Sequence, residues 1–157
     1  MDNTKDSSNM SLDYLFKLFK TSLDTHKIFF YQDNRNYGYI SKDTIYISDS
    51  YPIKQQVLTI AHEILHFHPK FLSYTIKSER MNECAEFAIT RFAKKILHNR
   101  KDIANLVREA YNFAKKRDQD VQREEKEYLE LVKISCSSPN PDERVRAKTK
   151  LDNLPPF

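Results

Sequence analysis

TIAHEILHFH, Thr59 to His68, sets two histidines four residues apart with a glutamate directly after the first. The stretch ends a longer one, Ile53 to His68, in which Val57, Ile60, Ala61, Ile64 and Leu65 recur at helical spacing between Pro52 and Pro69. A helix that ends before Pro69 is therefore expected. Residues four apart stack on one helix face, so His62 and His66 can aim their imidazoles at one point, where a metal ion can sit. Glu63 is turned about 100° from His62, too far round to be an easy co-ligand but near enough to reach a water molecule at that point. The chemistry that uses such a set is hydrolytic: a zinc ion with three protein ligands leaves a position for water, and a carboxylate takes up the proton. H-E-x-x-H fixes only three positions and can arise by chance in a charged helix. Here the helix is otherwise apolar, and polar groups facing a core need partners.

The third ligand must come from elsewhere. Glu79, Glu83 and Glu86 lie at steps of four and three on one face of the next helix, and spacing alone leaves all three open.

The chain has 157 residues, enough for one domain with a real core, and no apolar run approaches the ~20 residues of a membrane span. MDNTKDSSNM lacks the charged start and apolar centre of a secretory signal, so a cytoplasmic protein is expected. Cys84 and Cys136 form neither a C-x-x-C pair nor a disulfide framework. The net charge of +4 is spread among alternating acids and bases, which argues against direct nucleic-acid binding.

Around the motif the sequence predicts a disordered segment 1–10, a single domain 11–134, and a tail 135–157 with a short helix from Asp142 to Leu151. Ser11 is the expected N-cap of an amphipathic helix carrying Leu12, Leu15, Phe16, Phe19 and Leu23. KIFFYQD, YGYISKD and TIYISDS read as about three strands of a small antiparallel sheet. After the motif helix, Ala85, Ala88, Ile89, Phe92, Ala93 and Ile96 mark a second core-facing helix. A third starts near Lys101, apolar at Ile103, Leu106, Val107, Ala110 and Phe113 and then polar from Lys115 to Glu127. The class is α+β with a helical C-terminal part. His68 is expected at the surface, His26 and His98 at helix ends, and Tyr37, Tyr39 and Tyr46 in sheet packing.

TIAHEILHFH and EFAITRFAKKIL together resemble the ImmA/IrrE metallopeptidases, gluzincin-like proteins of bacteria, phages and integrative elements. In these, H-E-x-x-H follows a small sheet and precedes a helix of the form E-x-x-A-N-x-F-A-x-x-L-L. Glu86, Ile89, Thr90, Phe92, Ala93, Ile96 and Leu97 fall on that pattern in register. The resemblance spans about Lys27 to Leu97 and implies a zincin-like fold holding one Zn²⁺ ion. It makes Glu86 the third ligand, with Glu83 as the alternative, Glu63 the catalytic base, and Thr90 the occupant of a place where relatives carry Asn or Asp. It further implies a protein substrate, such as a helix-turn-helix transcriptional repressor that anti-repressors of this family cut or inactivate. The alternative is a catalytically weak metal-binding module that acts by protein contact.

Overall fold

A computed structural model of the chain describes residues 5–72 and 79–155, with side chains described over 14–71 and 83–155. Ile and Phe alternate with polar or aromatic residues through Lys27–Tyr31, so one face of this strand, β1, buries Ile28 and Phe30 while Phe29 stays outside. β2 (Gly38–Ser41) and β3 (Thr44–Ser48) complete a three-stranded sheet in the order β1-β3-β2. All three strands fall within the stretches expected from the sequence. The sheet is mixed, however, not antiparallel: β2 folds back on β3 as a hairpin, whereas β1 pairs with β3 in parallel, Lys27 beside Thr44 through Tyr31 beside Ser48. β3 carries Ile45 and Ile47, both fully buried, and the central position is the one that covers them. Gly38 opens β2. A Cβ there would run into the Tyr46 carbonyl oxygen and lie 2.8 Å from Thr59 Cγ2, so its smallness lets the motif helix approach the sheet.

That helix, α2 (Ile53–Leu65), packs against β2 and β3 and against α1 (Lys5–Thr25). α1 begins ahead of Ser11, which therefore lies inside the helix and does not cap it. α2 stops three residues short of His68, the end of the expected stretch, and a turn over 66–68 leads into a one-turn helix, α3 (Pro69–Leu72), opened by Pro69. α4 (Glu79–Asn99) packs along α2. It buries Ala85, Ile89, Ala93 and Ile96 and half-buries Phe92, while Ala88 faces outward. Among the described residues no helix is long and apolar enough to cross a membrane.

α5 (Lys101–Ser137) is a single helix of 37 residues. Two compact units divide within it, residues 1–115 and 116–157. The reason lies in its pattern: Ile103, Ala104, Val107, Tyr111 and Ala114 are buried, and the stripe ends there. Phe113, placed on that stripe by the sequence, is 73% exposed. In the first unit Tyr111 donates to buried Gln56, whose amide in turn donates to the Tyr51 carbonyl. In the second unit, the rest of α5 is followed by α6 (Pro141–Asp152). There Asn140 caps α6 by accepting from the Asp142 N–H, and Ser138 donates to Glu143.

Candidate metal centre

α2 and α4 build the site between them. His62 and His66 lie one turn apart at the C-terminal end of α2, His66 just past its last helical residue but still in helical conformation. Their side chains therefore keep the register of the helix. Their Nε2 atoms are 3.2 Å apart. Glu86 of α4 reaches across to both, Oε2 lying 2.6 Å from His62 Nε2 and Oε1 3.1 Å from His66 Nε2. Thr90, one turn further along α4, places its hydroxyl 2.9 Å from His62 Nδ1. With the proton on Nδ1 and donated to Thr90, the lone pair of His62 Nε2 faces His66 and Glu86. A partner on the far ring nitrogen is what orients a ligating imidazole.

Glu63 sits deeper. One ligand atom each from His62, Glu63 and His66 lies within 4.8 Å of the others, a group that can hold a metal ion. Burial pushes the Glu63 carboxyl above its usual range, Glu86 adds to this, and the two histidines oppose it. The contact with Glu86 raises the His66 pKa. Reciprocally, the two histidines hold Glu86 at about 2.

The donor set fits a zinc ion. Three ligands about 2.05 Å from a tetrahedral centre stand about 3.3 Å from one another. The two separations at His66, 3.2 and 3.1 Å, match this, and the 2.6 Å between His62 and Glu86 needs only a small outward turn of the carboxylate. Glu83, the alternative ligand, is exposed on α4 and touches neither histidine among the described residues. The Glu79 side chain lies outside them.

The remaining histidines stand apart from this cluster. His26 Nδ1 donates to the Ser22 carbonyl at the end of α1. His98 is exposed in the last turn of α4. His68, expected at the surface, is half-buried with Tyr14, Phe71 and Phe92 around it. Burial, with Lys70 nearby, lowers its pKa.

Tyr39 stacks on Tyr46 at 4.7 Å and Tyr37 packs on Tyr51 at 4.5 Å, as sheet packing predicts. Sequence reasoning passed over Tyr31, whose hydroxyl is buried without a hydrogen-bond partner among the described residues. Burial pushes its phenol up, followed by Asp33, Tyr39 and Glu63. Nothing in KIFFY distinguishes this tyrosine from a packing residue.

No protein-family model, curated protein or solved structure matches this chain.

Proposed function

We propose that the protein is a zinc-dependent endopeptidase of the ImmA/IrrE type, with His62, His66 and Glu86 as metal ligands and Glu63 as general base. The observation that carries this reading is the meeting of two imidazole Nε2 atoms and the Glu86 carboxylate from a second helix, with the half-buried Glu63 carboxylate beside them. A zinc ion bound there supplies Lewis acidity, polarising the scissile carbonyl and acidifying water. Glu63, with its proton affinity raised by burial, takes the proton from the attacking water and returns it to the leaving amine. Tyr31, whose hydroxyl has no partner among the described residues, is a donor for the oxyanion that develops. β2 lies at the edge of the sheet beside α2, so an extended substrate can pair with its outer backbone groups. The resemblance points to a helix-turn-helix repressor as the protein cut, and to an anti-repressor role in the cytoplasm.

Thr90 supports a second reading. A hydroxyl holds His62 less strongly than a carboxylate does, which suits a metal-binding module that acts by contact. One set of variants separates the two. Glu63→Gln is expected to keep one zinc ion per chain and lose cleavage together with the cellular effect. Full effect from this variant would leave the contact module as the function. Glu86→Ala is expected to lose the metal and Glu83→Ala to keep it, as read by metal content of the purified chains.

A further inference from the structure

His62 touches Glu86 and Thr90 while His66, one turn later, touches Glu86, so α2 and α4 run antiparallel, and at their other ends the two helices open into a cleft of about 1080 Å³ with the start of α5 as its third side. None of His62, Glu63, His66, Glu86 and Thr90 lines this cleft, which meets α2 only from Ile53 to Leu58, so it is separate from the metal centre.

Its lining is one-sided in charge. Lys54 of α2, Lys94 and His98 of α4, and Arg108 of α5 all face it, and among the described residues no carboxylate does. The chain as a whole has nearly balanced charges, 26 Lys and Arg against 22 Asp and Glu, so composition does not account for the bias. None of Lys54, Lys94 and Arg108 forms an ion pair among the described residues. The first turn of α2 opens on the same cleft. Pro52 at the cap position offers no side-chain acceptor, and its carbonyl takes the N–H groups of Gln55 and Gln56, leaving the Ile53 and Lys54 amides at the mouth. The floor is apolar, formed by Val57, Leu58 and Leu97.

We propose that this cleft binds a small organic phosphate: phosphate groups held by Lys54, Lys94, Arg108 and the start of α2, and an apolar body lying over Val57, Leu58 and Leu97. Three permanent cations with no lining acid call for more than one negative charge, which a diphosphate concentrates in one place. Lysine, arginine and free helix amides are its usual partners. The volume far exceeds a lone inorganic anion and suits a ligand of nucleotide size.

Calorimetric titration of the zinc-loaded 157-residue chain with ADP, pyrophosphate and adenosine tests this. ADP is expected to fill one site at least about tenfold more tightly than either fragment, with affinity falling as salt rises from about 50 to 200 mM. Lys94→Ala and Arg108→Ala are each expected to weaken ADP by about fivefold or more with zinc content and thermal stability unchanged. Lys94→Glu should abolish binding. The proposal is overturned if ADP binds no better than pyrophosphate or adenosine, if the variants bind as the parent does, or if an acidic peptide displaces ADP.

Discussion

Thr90 is the side chain through which α4 controls the orientation of His62, because its hydroxyl meets Nδ1 at 2.9 Å. Removing such a partner usually costs about 10 to 100-fold in metal affinity. Thr90→Ala is expected to weaken zinc by that factor, and Thr90→Val, which keeps the shape, by nearly as much. Competition with a chromophoric chelator measures both. The histidines and Glu86 also set a pH dependence. In the metal-free chain Glu86 has its pKa lowered from 4.5 to about 2, so its contribution to stability is present above 4.5 and lost as pH falls towards 2. His66 is raised above 6.5, so its contribution is complete below 6.5 and lost as pH rises through the raised value. Zinc needs the imidazole unprotonated. The rise in melting temperature that zinc produces over EDTA-treated protein is therefore expected to grow between about pH 6 and 8.

Among the elements, α2 and the strands were legible because their hydrophobic periods differ and are clean: helical from Val57 to Leu65, alternating in KIFFY and TIYIS. The ends were less so. α2 gives way to a turn at 66–68 although the first helix-stopping residue is Pro69, and α1 runs back to Lys5. Parallel pairing of β1 with β3 leaves no mark in short strands whose faces alternate in either arrangement. The hairpin between β2 and β3 contains a local strain: Lys42 has φ 55°, the left-handed region that favours glycine. Lys42→Gly is expected to stabilise the protein by about 0.5 to 1 kcal/mol. Urea unfolding, with an unchanged slope, measures it.

For the molecule as a whole, the apolar core runs from Phe19 to Ala114, within the first compact unit. The second unit by itself buries Ala147 and Ser138. A chain ended after Asp120, about a turn and a half beyond Ala114, is therefore expected to unfold cooperatively and to bind one zinc ion. Circular dichroism on heating and metal content check this; loss of the cooperative transition would place residues 121–157 among the requirements of the fold.

The helix of the motif, the register of its two histidines and the presence of three short strands were decided by local pattern, since spacing along a helix or strand fixes which residues share a face. Three-dimensional packing settled the rest. Glu79, Glu83 and Glu86 are equivalent in spacing, and only the antiparallel fit of α4 on α2 puts Glu86 against both imidazoles while leaving Glu83 in solvent. The same fit gathers Lys54, Lys94, His98 and Arg108 around one cleft from positions up to 54 residues apart in a chain whose charges look evenly mixed. Contacts between distant segments depend on how helices dock, and a linear pattern carries no record of that docking.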